Sequence, residues 1–404
     1  MKNCSPEFKK KNVPGLPKDI SAAVSMCFET VYAPQDEGDD NCLIQIESTD
    51  SSAPLVTIKL QGGGTYETEQ TDIFTQVSGQ EVDILLVIDD SGSMCGEQDK
   101  LVAAYKDFIS HAAVWDNDYH IGIISSNVVD DRVVGMLNYG PEVGKSPRYI
   151  TPESGADKFE DLADLGCDGG PHCGGLNGPC TDEQESGLQA AQVALSAPLT
   201  TETGVACSSD ADCHNNPSVC PDPAACKSVY CLDGTCGGWN KGFLREDAQL
   251  EIIELSDEED QSSADVYFYI DFLKSIKGFY NVNMMHVNSI VGANPTTCDE
   301  SAPGKRYIKV SQDTNGKIGD ICDDSYSPIM NEIGGQTFGL KVQFFLTRLA
   351  DPPTVQVWVN GDSCATGWTY DAPSNSIIFQ EDGSCMPQPG DEIKVHYKTL
   401  CLTE

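Results

Sequence analysis

The chain has 404 residues, of which 25 are basic and 63 are acidic, so its formal net charge is -38. This charge excludes nucleic acids and anionic membranes as main partners, because both are bound through lysine and arginine side chains that neutralise phosphate. Hydrophobic residues make up 39% of the sequence, enough for at least one full core, and no apolar stretch reaches the ~20 residues of a membrane-spanning helix.

The cysteines indicate the redox compartment. There are 18 of them, and no two have the Cys-x-x-Cys spacing of zinc ribbons or thioredoxin-like sites. We therefore expect most of them to form disulfides, which predicts an extracellular or cell-surface protein. The start of the chain, Met1–Cys4, has no hydrophobic export signal, so we expect that an export segment is absent from this sequence.

The first predicted elements are β-strands. Residues 42–46 and 55–60 are apolar runs separated by a polar, turn-forming segment, and three glycines at 62–64 follow them. This predicts a small β module over residues 1–64, whose end resembles the last hairpin of immunoglobulin-like modules common in bacterial surface proteins. A polar, acidic segment at 65–80 is predicted to be a linker.

A buried strand, a polar loop and a helix follow in immediate succession. Residues 82–88 are apolar and rich in β-branched side chains, and Asp89, Ser91 and Ser93 then alternate in the loop. The helix after the loop has one apolar face, formed by Leu101, Tyr105, Phe108, Ile109 and Ala112. Open α/β sheets bind ligands at such strand ends, and oxygen ligands with few formal charges suit Mg²⁺.

This Asp-x-Ser-x-Ser run resembles the metal-ion-dependent adhesion site of von Willebrand factor A domains. That family takes further ligands from a threonine before a second helix and from an aspartate after a later strand. The matching positions here are Thr181, with Asp182 as the alternative, and Asp257, which follows a predicted buried strand at 250–255. The resemblance implies a site for Mg²⁺, with Mn²⁺ or Ca²⁺ as alternatives, held by Asp89, Ser91, Ser93, Thr181 and Asp257.

Residues 81–338 are predicted to form this domain. Further strands are expected at 119–124 and 282–291, and further helices at 266–276 and 326–333. Alternating strands and helices predict an α/β, Rossmann-like fold with a mostly parallel central sheet flanked by helices.

A cysteine-rich insertion at 200–241 interrupts the predicted domain. Six cysteines with almost no apolar core need covalent cross-links to hold a shape, so we expect them to pair among themselves. The insertion is either a surface decoration or a rigid element beside the site, where loops set specificity. The cysteines are Cys207, Cys213, Cys220, Cys226, Cys231 and Cys236.

The C-terminal residues 339–404 return to strand periodicity. Valines alternate with other residues at 355–359 and end in Asn360-Gly361, a two-residue hairpin turn, so a small antiparallel β module is predicted. Its expected disulfide cysteines are Cys364, Cys385 and Cys401. Its aromatic residues form either a β core or, as the weaker alternative, a carbohydrate-binding face; they are Trp358, Trp368 and Tyr370.

Hydrolysis is the weaker functional interpretation. Asp90-Ser91-Gly92 matches the start of subtilisin-like and aspartic proteases, but the chain has neither the further subtilisin segments nor a second Asp-Ser/Thr-Gly. Acidic residues after a strand also occur in ordinary solvated turns. We therefore expect that the protein is not an enzyme.

The expected function is metal-dependent adhesion. The segment 256–262 resembles a bacterial surface subgroup of the family, although Glu258, Glu259 and Asp260 are expected to crowd Asp257 with charge. In the family, the ion's open coordination position takes an acidic group of a partner. The implied partner is a protein or glycan ligand on a cell surface or matrix. The alternative is a structural subunit of a surface filament or pilus tip, with neighbouring subunits as partners.

Overall fold

The chain folds into two compact units. The sheet unit comprises Gln76–Val342 and Gln388–Gly390, and the β unit comprises Met1–Thr75, Gln343–Pro387 and Asp391–Glu404. The computed structural model describes residues 2–13, 15–19, 26, 28–49, 55–64, 68–129, 134–138, 148–154, 157–163, 165, 185–220, 229–278, 283–299, 301–381 and 383–400. Among these residues, no helix is both long and apolar enough to cross a membrane.

Strands and helices alternate through most of the sheet unit, whereas the described α-helices all lie outside the β unit. The strands are β1 (Phe8–Lys11), β2 (Glu29–Tyr32), β3 (Gly38–Glu47), β4 (Leu55–Gly64), β5 (Glu69–Thr75), β6 (Glu81–Ile88), β7 (Asp118–Ser125), β8 (Glu202–Ala206), β9 (Val229–Leu232), β10 (Thr235–Gly238), β11 (Gln249–Ser256), β12 (Met285–Val291), β13 (Ile318–Asp320), β14 (Gln343–Phe345), β15 (Gln356–Val359), β16 (Asp362–Cys364), β17 (Trp368–Asp371), β18 (Ser376–Phe379) and β19 (Glu392–Lys398). The helices are α1 (Cys95–Trp115), α2 (Asp157–Ala163), α3 (Gly187–Ala194), α4 (Asp210–His214), α5 (Val266–Ile276), α6 (Lys305–Asp313) and α7 (Ser327–Thr337).

A five-stranded parallel sheet is the centre of the sheet unit. Its strand order is β13-β12-β11-β6-β7, and every neighbouring pair is parallel. The chain leaves β6 for β7 on one side and later returns to β11 on the other side. The carboxyl ends of β6 and β11 therefore flank the point where the strand order reverses, which is where open α/β sheets bind ligands.

Helices cover both faces of this sheet, as the sequence predicts. Ile84, Leu86 and Ile88 of β6 point to one core, which they share with α1 and α7. Leu85 and Val87 point to a second core, which contains residues of α3, α5 and α6. Successive strand residues alternate between faces, so a strand that is apolar throughout has both of its faces buried.

The cysteine-rich insertion forms its own small sheet, β8-β10-β9. Disulfides join Cys207 to Cys231 and Cys213 to Cys236, so four of the six predicted cysteines pair within the insertion. Cys226 lies outside the described residues.

The β unit differs from its predicted boundaries, because part of the predicted linker 65–80 is a strand. β5 pairs antiparallel with β19 along its whole length in the four-stranded sheet β16-β15-β19-β5. The buried Asp72 of β5 accepts hydrogen bonds from Tyr397 and Thr347. This strand is held by backbone pairing and a buried carboxylate, so its sequence lacks the apolar alternation that identifies strands.

The rest of the β unit consists of the antiparallel pairs β1-β2 and β3-β4 and the three-stranded antiparallel sheet β14-β18-β17. β3 pairs with β4, and β4 extends through the three glycines that were expected to close the hairpin. Disulfides join Cys4 to Cys42 and Cys364 to Cys385, while Cys401 lies outside the described residues.

The predicted hairpin turn and the aromatic residues can be placed in this unit. Asn360 and Gly361 have φ values of 51° and 85°, as the turn between β15 and β16 requires. Trp368 and Tyr370 are partly buried against the apolar core of the unit, as the β-core interpretation expects.

Candidate functional site

Asp89 follows β6 directly and is held by hydrogen bonds on both carboxylate oxygens. Its Oδ1 accepts from the Ser91 backbone N–H at 2.9 Å, and its Oδ2 accepts from the Ser256 hydroxyl at 2.7 Å. The residue is only 1% exposed. Burial raises the pKa of Asp89 to about 6, and the two hydrogen bonds oppose this shift.

The loop after Asp89 brings its two serines together. The Ser91 and Ser93 hydroxyl oxygens lie 3.0 Å apart at the surface. The loop is anchored from below by Gln98 of α1, whose buried amide donates to the backbone oxygens of Asp89 and Leu165 at 3.1 Å each. Both hydroxyls are therefore presented to solvent beside a fixed, buried carboxylate.

Asp257 follows β11 directly and joins the same cluster. It is 7% exposed, and its carboxylate hydrogen-bonds to Ser93 and is repelled by Asp89. Burial is the main reason why the pKa of Asp257 is raised to about 6. Its Oδ1 is buried without a hydrogen-bond partner among the described residues. The structure thus brings together Asp89, Ser91, Ser93 and Asp257, four of the five residues that the sequence singles out.

The second loop contributes a residue that the sequence analysis missed. Thr181 and Asp182 lie outside the described residues, and the description resumes at Glu185. Glu185 is held beside β7 by a bridge to Asn127 and by a 2.8 Å hydrogen bond from the Gln261 amide to its Oε2. Burial, followed by repulsion from Asp89, raises the pKa of Glu185 to about 8.

Helix α3 begins immediately after Glu185 and is fixed by side chains from the third loop and α6. The Gly187 N–H donates to the Tyr307 hydroxyl at 3.2 Å, and the Leu188 N–H donates to Asp260 at 3.3 Å. The Gln189 N–H donates to the Ser262 hydroxyl at 2.9 Å. These contacts fix the position of Glu185 relative to the loop that carries Asp257.

The acidic residues after Asp257 do not all crowd it. Asp260 points to Arg306, whose Nε lies 2.8 Å from its Oδ2. Glu259 accepts the Lys305 and Arg306 backbone N–H groups at the start of α6. Glu258 is the residue that adds charge, because its carboxylate repels that of Asp257; its carboxyl group is also hydrogen-bonded to that of Glu185.

Such a group of oxygen atoms fits a divalent cation. Two carboxyl groups in direct contact need a proton or a cation between them, and buried carboxylates are costly without one. The Oδ1 of Asp257, which has no hydrogen-bond partner among the described residues, is an acceptor at the same place. Carboxylate and hydroxyl oxygens are the ligands preferred by Mg²⁺ and Ca²⁺.

A second cluster of metal-ligand type is explained by disulfides. The sulfur atoms of Cys207, Cys213 and Cys236 lie within 4.8 Å of one another. All three are disulfide-bonded, so none of them is a thiolate that could bind zinc.

Comparison with known proteins leaves the family open. No family model and no curated protein matches the chain. Among solved structures, it is similar to proximal thread matrix protein 1 from the mussel byssus, at 11% identity and a TM-score of 0.31, over 69% of this chain and 51% of that one. It is also similar to the pilus adhesin SpaC from Lactobacillus rhamnosus GG, at 11% identity and a TM-score of 0.31, over 89% of this chain and 42% of that one. The chain thus spans about half or less of the length of these proteins, and such TM-scores assign it neither a fold nor a function.

Proposed function

We propose that this chain is an extracellular binding protein that uses a divalent cation to hold an acidic group of a partner. Asp89 and Asp257 are the anionic ligands, and Ser91 and Ser93 supply neutral oxygens, either directly or through water. Thr181 remains the proposed second-loop ligand, with Asp182 as its alternative. The observation that carries the proposal is the buried Asp257 Oδ1, which lies beside Asp89 at the reversal point of the sheet and lacks a hydrogen-bond partner among the residues that the structure describes.

The bound ion is proposed to be Mg²⁺, with Mn²⁺ or Ca²⁺ as alternatives. The partner is a carboxylate-bearing protein or glycan on a cell surface or matrix. A chain with a net charge of -38 repels such a partner at long range, so the attraction must be local and must come from the ion. Disulfides in both units support the extracellular location, because cytosolic thiols are kept reduced.

Partner binding is tested with arrays of acidic peptides and of carboxylated and neutral glycans. The full chain should bind carboxylated members with Mg²⁺ or Ca²⁺ and lose them with chelator. Asp89→Ala and Asp257→Ala should abolish binding, whereas Asp99→Ala, at an exposed position on α1, should not change it. Binding that survives chelation and Asp89→Ala would contradict the proposal, as would turnover of any peptide or glycan.

A structural subunit is the second candidate. The β3–β4 pair exposes Ile46, Leu55, Val56 and Ile58, each by 38–50% of its surface, and exposed apolar groups of this kind occur at assembly surfaces. Sedimentation at increasing protein concentration, with and without chelator, distinguishes the two. Self-association that requires the ion would favour the subunit, and a monomer under both conditions would favour the adhesion protein.

A further inference from the structure

We propose that Glu185 is a direct ligand of the cation, and that this third carboxylate makes the site prefer Ca²⁺ to Mg²⁺. This inference rests on the proposed function, since it concerns the same ion. It goes beyond the proposed function in two ways: Glu185 is added as a ligand, and Ca²⁺ replaces Mg²⁺ as the preferred ion.

The position of Glu185 follows from backbone contacts. The Ser126 N–H donates to the Ile88 oxygen at 2.9 Å, which places the end of β7 beside Asp89. The Ser186 N–H in turn donates to the Ser126 oxygen at 3.1 Å, and Glu185 bridges Asn127. The chain segment that carries Glu185 is therefore tied to the same strand ends as Asp89.

The Glu185 side chain faces the cluster. Its carboxyl group is close enough to Asp89 for the two to repel each other, and it is hydrogen-bonded to Glu258. The Gln261 amide holds only Oε2. Glu185 itself is only 3% exposed, so it is a buried acid beside the buried Asp89. Among the described residues, no lysine or arginine forms an ion pair with Glu185 or Asp89 to balance their charge.

Unpartnered atoms on the segments that meet at these strand ends provide an independent observation. The Asp257 Oδ1, the Ser126 Oγ and the Ser186 Oγ are all buried, and none has a hydrogen-bond partner within the described part of the chain. Buried polar atoms are nearly always satisfied, and the Asp257 Oδ1 belongs to the Asp89 cluster itself, so a cation bound there would supply its missing partner. All three are oxygen acceptors, which is the chemistry of a hard cation.

The number of carboxylates selects the metal. Mg²⁺ is usually bound by one or two carboxylates and keeps several waters, whereas Ca²⁺ accepts six to eight oxygens and tolerates irregular geometry. Asp89, Asp257 and Glu185 supply three carboxylates at a place where the serine hydroxyls add further oxygens. Such a ligand set suits the larger ion.

Titration calorimetry of the chelator-treated full chain with Ca²⁺ alone and with Mg²⁺ alone tests this inference. Loss of an outer-shell partner already costs about 10- to 100-fold in metal affinity, so Glu185→Gln should lower Ca²⁺ affinity by roughly tenfold or more. Glu185→Thr, which replaces the carboxylate by a hydroxyl, should lower the ratio of Ca²⁺ to Mg²⁺ affinity. The matched control is Glu202→Gln, an exposed glutamate on β8, which should leave both affinities unchanged.

The outcomes separate the two proposals. If Glu185→Gln binds Ca²⁺ as tightly as the unsubstituted chain while Asp89→Ala no longer binds it, Glu185 is not a ligand but the proposed ion site stands. If Asp89→Ala binds Ca²⁺ as tightly as the unsubstituted chain, the proposed ion site itself is wrong. Tighter binding of Mg²⁺ than of Ca²⁺ by the parent would overturn the selectivity. If Glu185→Gln does not fold, Glu185→Asp keeps the charge on a shorter side chain and should also weaken Ca²⁺ binding.

Discussion

At the scale of single residues, Gln98 supports the loop that follows β6. Its amide nitrogen donates to the Asp89 and Leu165 oxygens, and its amide oxygen accepts the Leu165 N–H at 3.0 Å. The side chain is buried, so water cannot replace these bonds when it is removed. The Asp89 backbone is therefore held on both sides, by this amide at its oxygen and by the Leu255 oxygen at its N–H.

We expect Gln98→Ala to destabilise the protein. Each buried group left without a partner costs about 1–3 kcal/mol, so the free energy of unfolding should fall by at least that amount. The neighbouring Asp99→Ala removes an exposed side chain and should change it by less than about 0.5 kcal/mol. Urea denaturation of both variants measures the difference, and equal stabilities would argue against this role of Gln98.

Glu254 is a second buried residue with a measurable consequence. It lies in β11, and burial raises its pKa well above the ordinary value of 4.5. Its Oε1 has no partner among the described residues. In the folded protein the side chain therefore stays protonated at pH values where the unfolded chain releases the proton.

This difference predicts a loss of stability with rising pH. Above pH 4.5 the folded state binds the proton more tightly than the unfolded state, so the free energy of unfolding falls until the folded pKa is passed. Glu254→Gln removes the titration, so the variant should gain stability relative to the parent from pH 5 to pH 8. The gain is at most about 1.4 kcal/mol per pH unit.

Urea denaturation at both pH values, with chelator present, measures this gain. Asp89 and Asp257 titrate in parent and variant alike, so their effect cancels in the difference. A stability difference that stays constant between pH 5 and pH 8 would contradict a protonated Glu254.

At the scale of elements, the start of α3 depends on a glycine. A Cβ atom at Gly187 would lie 2.5 Å from the Glu254 Oε2 and 2.8 Å from the Tyr307 hydroxyl. Both neighbours are fully buried and cannot easily move. The glycine allows the start of α3 to pack directly against β11 and α6.

We therefore expect opposite effects from two glycine substitutions. Gly187→Ala should cost about 1–3 kcal/mol of stability, because the added methyl group has no room. Gly96→Ala, in α1, should stabilise by about 0.4–1 kcal/mol, because the unfolded chain loses freedom there. A Cβ at Gly96 meets nothing within 4 Å. Thermal denaturation compares them, and equal effects would refute the proposed packing of Gly187.

Elements with a strong apolar pattern could be predicted from the sequence. The helix at 266–276 and the parallel sheet agree with the structure because their patterns arise from burial. β5 could not be predicted, because it is held by pairing with β19 and by Asp72. Glu185 could not be predicted either, because its position depends on tertiary contacts at the start of α3.

At the scale of the whole molecule, disulfides stabilise regions with little core of their own. Peptide mapping by mass spectrometry of the non-reduced protein should find Cys207 joined to Cys231 and Cys213 joined to Cys236. Each of these bonds closes a loop of more than twenty residues, which restricts the unfolded chain. Free thiols in the insertion, or one bound zinc ion per chain, would contradict both the pairing and the extracellular location.

One divalent cation is proposed to bind at Asp89 and Asp257, and thermal denaturation with and without the ion tests this site. An ion that binds only the folded state stabilises it by about 2.7 kcal/mol at a hundredfold excess over Kd. Ca²⁺, Mg²⁺ or Mn²⁺ should therefore raise the Tm of the chelator-treated parent and of the Asp99→Ala control, but not that of Asp89→Ala. An equal rise in Asp89→Ala, or no rise in the parent with any of the three ions, would contradict the account.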